Sequence, residues 1–266
     1  MDPRAIVDRL WPGQTAQLEP LGGGITNDNF KVEVGGEAFV LRISGKDTEL
    51  LGIDRGHEYA ASLVAAELGV GPGVVGFVDG CLVTRFVGGQ AAARVPPAEA
   101  GRLLRAIHEG SAIPSRFDSF RVVEDYRALA GERGVPIPSA DEEASRRAAE
   151  IERRRGGAPL RTCHNDLLPA NFIDDGSRLW LVDWEYAGMG DPFFDLGNFA
   201  ANHELDEDGE RQLLSAYGSA DLEALHDMRF MSDFREAMWG VVQQGISALD
   251  FDFAAYAEKH FERALA

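Results

Sequence analysis

Residues 163–171 read Cys-His-Asn-Asp-Leu-Leu-Pro-Ala-Asn, and the apolar run Leu179-Trp180-Leu181-Val182 that follows ends on Asp183. The first stretch contains His164-x-Asp166-x-x-x-x-Asn171. Moving a phosphoryl group onto a hydroxyl requires a carboxylate beside the attacking oxygen and hard oxygen ligands for Mg²⁺ beside the phosphates. Asp166 suits the first need, Asn171 and Asp183 the second. Pro169 stiffens the loop between Asp166 and Asn171. Asp and Asn are also ordinary turn residues, but their order, followed by an Asp at a strand end, makes coincidence a poor explanation.

Upstream, Leu21-Gly22-Gly23-Gly24-Ile25-Thr26-Asn27-Asp28-Asn29-Phe30 opens an alternating segment. Glycines let backbone N–H groups come close to phosphate oxygens. No Gly-Lys-Ser/Thr follows, so this is not a Walker loop. Residues 28–34 and 37–43 alternate about Gly35-Gly36, which predicts a β-hairpin. Apolar spacing over 54–68 predicts a helix stopped by Gly69. Two further strands are expected at 74–79 and 81–87. A short helix and an opening strand fit within residues 1–20. Arg42 on the strand FVLRI and Glu58 on the following helix form a candidate phosphate-holding cation and its orienting carboxylate.

After Gly88-Gly89 the pattern turns helical, with helices expected at 97–109, 118–130, 139–155 and repeatedly beyond 207. Short strands are expected at 160–163 and 179–183. The reading is therefore α+β: a small antiparallel sheet lobe, residues 1–87, followed by a larger, mainly helical lobe, residues 88–266.

Composition narrows the function. The 266 residues carry a formal net charge of −18 and are 45% hydrophobic, enough for a sizeable core. Such acidity argues against nucleic-acid binding and against electrostatic docking on anionic membranes. Residues 161–266 alone carry a net −14. That excess reads either as solvated helix faces or as a cleft attracting a cationic substrate. Two cysteines, Cys81 and Cys163, make neither a disulfide framework nor a metal cluster. The amino terminus lacks a signal-peptide layout and no run of about 18 apolar residues occurs, so a cytoplasmic chain without a membrane span is expected.

His-x-Asp-x-x-x-x-Asn has the spacing of a kinase catalytic loop. Together, GGGITNDNFKV, HNDLLPANF, VDWEYAGMGDPFFDLGNFA and the C-terminal MWGVVQQGISALDFDFAAYAEKHF resemble the choline/ethanolamine kinase family, which has an aminoglycoside phosphotransferase-like, protein-kinase-like two-lobed fold. The resemblance covers nearly the whole chain. It implies an ATP- and Mg²⁺-dependent phosphotransferase acting on a small amino alcohol, choline first and ethanolamine next. Asp166 would be catalytic, with Asn171 and Asp183 binding Mg²⁺. Gly22, Gly23, Gly24, Asn27 and Asn29 would meet the nucleotide, with Arg42 on its phosphates, Glu58 behind Arg42, and Thr84 and Phe86 at its adenine end. Trp239, Tyr256 and Tyr186 would wall the acceptor pocket through cation–π contacts. Glu185 and Glu204 are acidic candidates for the same pocket.

Two positions depart from the family pattern. Glu236 stands where some choline kinases carry a second tryptophan, and Asn202 stands where an acidic residue is expected. Two rivals follow: a kinase of another small cation, such as an aminoglycoside or thiamine, and a nucleotide- or cation-binding module without turnover. Asn165 replaces the arginine that protein kinases place before the catalytic aspartate, so control by a phosphorylated loop is not expected.

Overall fold

The computed structural model describes residues 1–22, 27–46 and 48–266. Helix α1 (Pro3–Leu10) leads into strands β1 (Ala16–Leu21), β2 (Asn27–Val34) and β3 (Glu37–Ser44). The β2–β3 turn is Gly35-Gly36, at φ 62° and 82°. Two successive left-handed residues are what a tight hairpin requires, and glycine takes that conformation at little cost. Helix α2 (Arg55–Glu67) is capped by Asp54, whose carboxylate accepts from the His57 amide. Strands β4 (Val74–Val78) and β5 (Cys81–Arg85) complete a five-stranded antiparallel sheet in the order β1-β2-β3-β5-β4. The alternating inward residues Val32, Val34, Phe39, Leu41, Ile43 and Val83 bury against Ile6 and Val7 of α1. Each such side chain contributes about 1.5–3 kcal/mol of burial.

The chain continues through β6 (Gln90–Ala91), α3 (Pro97–His108), α4 (Ser119–Glu132), α5 (Ala140–Arg155) and β7 (Arg161–Cys163). It then makes a short 3₁₀ turn and adds β8 (Phe172–Asp174) and β9 (Leu179–Leu181), which pair with β6 in the order β6-β8-β9. Next come β10 (Gly188–Gly190), antiparallel to β7, and helices α6 (Pro192–Asn202), α7 (Glu207–Tyr217), α8 (Leu222–Ile246) and α9 (Phe253–Leu265). The chain divides into two compact units, one of residues 1–92 with 170–186, the other of 93–169 with 187–266.

In the second unit α8 is the central element, buried along most of its length and packed against α4, α6 and α9. Gly197 lets α6 lie directly on α8: a Cβ there would stand 2.3 Å from the Arg229 amide. Four acidic residues of this region, Asp191, Asp206, Asp221 and Asp252, cap the four helices α6 to α9. Asp195, Glu210 and Asp233 are buried in polar contacts. Much of the local acidity is therefore spent on capping and internal pairing.

The sequence expectations differ from the structure in several places: β6, β8 and β10 have no counterpart among the expected strands, and residues 88–92 and 170–186 fall in the first unit rather than the second. Strand β9 stops at Leu181, so Asp183 lies two residues past the strand and takes φ 69°, which is incompatible with extended backbone. Strand β5 stops at Arg85, leaving Phe86 and Val87 outside it. Helix α6 has no counterpart in the expected elements. Its residues are buried on nearly every side, so no exposed polar face marks it.

Candidate functional site

Within the first unit, a cavity of about 420 Å³ opens against β2, β3 and β5. Val40, Leu82, Ile173 and Val182 give it apolar walls, and Arg42, Glu58, Asn171 and Asp183 give it a polar end. Its size suits a small ligand. Gly22, Asn29, Thr84 and Phe86 line it as well, so eight of the residues expected to meet nucleotide or metal share one cavity. Gly23 and Gly24 lie outside the described residues. Asn27 is not among the lining residues and is engaged with its neighbours instead.

A continuous network backs the polar end. Arg42 Nη1 donates to Glu58 Oε1 at 2.7 Å and to Asp183 Oδ1 at 2.5 Å. Arg55 Nη1 donates to Glu58 Oε2 at 2.6 Å and to Glu185 Oε2 at 3.0 Å. Asn27 Nδ2 donates to the same Glu185 oxygen at 2.8 Å. Burial opposes the charge on Arg42, but Asp183, Glu58 and Glu185 more than offset it and push its pKa up. Glu185 shifts upward because of burial and the neighbouring Asp183. Asp183 holds a left-handed backbone that costs about 1–3 kcal/mol in a non-glycine residue. The Val182 amide donates to the Asn171 carbonyl at 3.0 Å, keeping the two candidate metal ligands side by side. An amide oxygen and a carboxylate beside the cavity's cationic end are hard donors that fit Mg²⁺.

In the second unit, Asp166 sits on a loop held from α6. The amides of His164 and Asn165 donate to the two oxygens of Asp195 at 2.9 and 2.7 Å. His108 Nε2 bonds Asp195 Oδ2 at 2.9 Å, and the Leu167 amide donates to Asn198 Oδ1 at 2.6 Å. Burial raises the pKa of Asp195, yet its bonds to His108 and the His164 amide outweigh burial and hold it below the usual carboxylate range. Asn165 takes φ 67° in this loop. The ligating atoms of His108, Cys163 and Asp195 lie within 4.8 Å of one another. Both Asp195 oxygens are occupied by loop amides, and burial drives the Cys163 thiol well up. Asp195, itself held by His108, is thus an anchor for the loop.

Arg235 of α8, 2% exposed, brings Nη1 to 3.8 Å from Asp166 Oδ1 and ion-pairs with Glu236. Tyr256 donates its hydroxyl to Glu236 Oε2 at 2.6 Å, and its ring meets Trp239 edge-on with centroids 5.6 Å apart. Burial and Glu236 raise the Tyr256 pKa, so this hydroxyl stays a donor. Trp239 and Tyr256 are therefore adjacent, and Glu236 belongs to the same cluster. Glu204 lies elsewhere, exposed and at φ 49°, beside a different cavity lined also by Arg94, Pro169 and Asn202. Glu185 and Tyr186 belong to the first unit.

The sequence reading passed over Arg55, His108, Asp195, Asn198 and Arg235. Arg55 had a local signal, since it stands three residues before Glu58 on a helix. Asp195 and Asn198 had one in Asp191-Pro192, a helix start that places both on its first two turns. Arg235 and Glu236 break an otherwise apolar helical face. His108 carries no such mark.

Residues 17–231 match the family described as the phosphotransferase enzyme family. The chain is 29% identical over 211 residues to protein LicA of Haemophilus influenzae, covering 73% of this chain and 61% of that protein. A choline/ethanolamine kinase family protein from Mesorhizobium loti superposes with a TM-score of 0.81 at 31% identity, covering 98% of this chain and 92% of that one. A LicA structure in complex with AMP superposes with a TM-score of 0.81 at 24% identity, covering 98% and 94%, and shares the fold. Among the described residues no helix is long and apolar enough to cross a membrane.

Proposed function

The chain belongs to the phosphotransferase enzyme family, in its choline/ethanolamine kinase branch, and we propose that it moves the γ-phosphoryl group of ATP onto the hydroxyl of a small amino alcohol, choline first and ethanolamine next. The observation that carries this reading is the single cavity that gathers Arg42, Asn171 and Asp183 with Gly22, Thr84 and Phe86. A LicA neighbour of the same fold is in complex with AMP, which supports nucleotide use.

In this reading the adenine lies against Val40, Leu82 and Ile173, and the phosphates reach Arg42. Glu58 keeps the Arg42 guanidinium aimed at them. Mg²⁺, held by Asn171 and Asp183, would neutralise phosphate charge. Asp166 accepts a hydrogen bond from the acceptor hydroxyl and takes its proton as the new P–O bond forms. Asp195 and Asn198 hold the Asp166 loop in one conformation, so the carboxylate is positioned beforehand. The ring faces of Trp239 and Tyr256 attract the acceptor's ammonium at about 0.5–2 kcal/mol each. The nucleotide falls to residues 1–87 together with 170–186, and the acceptor to the remainder of 88–266.

The test is ADP release from Mg·ATP across choline, ethanolamine, thiamine, an aminoglycoside and no acceptor. The expected result is turnover with choline or ethanolamine alone. Turnover confined to thiamine or the aminoglycoside would replace the acceptor class, and none above the acceptor-free rate would refute transfer to these alcohols.

A further inference from the structure

We propose that Arg55 is a positioning residue that latches the start of β2 to the Asp183–Glu185 segment and thereby sets nucleotide affinity. The inference rests on the phosphotransferase reading of the cavity. Arg55 opens α2, where the helix dipole disfavours a cation, so helix preference does not explain an arginine there. Its partners do. Nη1 reaches Glu58 and Glu185, and Nη2 donates to Asn27 Oδ1 at 2.6 Å. Asn27 Nδ2 closes the ring by donating to Glu185. Three segments distant in sequence thus meet on one guanidinium.

Two consequences bear on the cavity. Asn27 begins β2, and Asn29 lies two residues on, on the same face of the strand, directly across from Arg42 in the β2–β3 register. Asn29 lines the cavity, and its buried Oδ1 has no hydrogen-bond partner among the described residues. Fixing Asn27 therefore fixes an acceptor next to the phosphate-holding cation. The second consequence is electrostatic. Two guanidiniums, Arg42 and Arg55, serve three carboxylates whose side chains are 1% (Glu58), 4% (Glu185) and 26% (Asp183) exposed. Arg55 satisfies the two inner carboxylates. The cluster keeps one net negative charge, and because Arg55 shares the inner carboxylates, Arg42 can exchange its bond to Asp183 for one to phosphate.

The experiment measures Mg·ADP binding to the full chain by titration calorimetry, with melting curves recorded for every variant. Arg55→Met and Asn27→Ala should each weaken ADP about tenfold, by loss of one charged or polar contact set. The double variant should be no weaker than the worse single, because both break one latch. Arg55→Lys keeps the charge but not the fork that reaches Asn27 and Glu185 together, so it should weaken ADP about threefold, less than Arg55→Met. Choline affinity should not change. Should Arg55→Met fail to fold, Asn27→Ala and Arg55→Lys carry the test. Folded single variants with unchanged ADP affinity, or losses that add in the double, would overturn the latch. Failure of the unsubstituted chain to bind ADP would instead overturn the phosphotransferase reading on which it rests.

Discussion

Arg42 Nη1 bridges Glu58 Oε1 and Asp183 Oδ1, so one guanidinium spans a carboxylate buried in α2 and a carboxylate that faces the cavity. The bridge joins the sheet to the segment after β9 and sets where positive and negative charge meet the ligand. Replacing Arg42 by Met removes the proposed phosphate contact while Arg55 still pairs with Glu58. Mg·ATP affinity should fall by about tenfold or more, with a stability loss nearer 1–3 kcal/mol than the 3–5 of a wholly unpaired buried charge. Nucleotide titration and denaturant unfolding read the two effects separately.

Asp195 is the anchor of the loop that carries Asp166. Its two oxygens satisfy the amides of His164 and Asn165, and Oδ2 also meets His108. Asp195→Ala would strand three polar groups in a buried site, at about 3–5 kcal/mol. Chemical denaturation should show that loss. Asp195→Asn should retain part of the stability and still lower kcat, because the amide can accept from the loop at only one of its two ends.

His203 at the C-terminal end of α6 stacks on Phe199 with centroids 4.0 Å apart, and burial pushes its pKa down to about 4. The unfolded chain binds this proton near pH 6.5 and the folded chain only near 4. Folded stability from His203 is therefore whole above about pH 6.5 and lost as the pH falls toward 4. His203→Gln should flatten the pH dependence of unfolding free energy across that window. An unchanged slope would assign the acid sensitivity to other groups.

Tyr256 and Trp239 share one cluster with Glu236. Tyr256→Phe removes the hydroxyl from Glu236 but keeps a ring, while Trp239→Ala removes a ring face. Steady-state kinetics should show the acceptor KM raised in both variants, more in Trp239→Ala, and the KM for ATP unchanged. Loss of one ring face corresponds to roughly 2–30-fold in affinity.

The hairpin about Gly35-Gly36 and helices α2 to α5 were legible in the sequence because their periodicity is amphipathic and their ends carry Asp, Pro or Gly signals. The His164–Asn171 loop and Asp183 were legible because chemistry constrains spacing along the chain. The support behind them was not. Asp195 and Asn198 lie about thirty residues from the loop they hold, and Arg55 lies 130 residues from Glu185. Pairings of that range leave no local period. Helix α6 was hidden for a related reason, since burial on most sides erases the polar stripe that would show its pitch. Nor does a linear reading reveal that residues 170–186 pack with the first unit.

In the proposed reaction Asp166 accepts the proton of the acceptor hydroxyl. The most direct test of that role is Asp166→Ala, with Mg·ADP binding and choline-dependent turnover measured on the same preparation. Nucleotide affinity should stay within about twofold of the unsubstituted chain, and kcat should fall by about 10²–10⁴-fold. Turnover near that of the unsubstituted chain would contradict the role of Asp166.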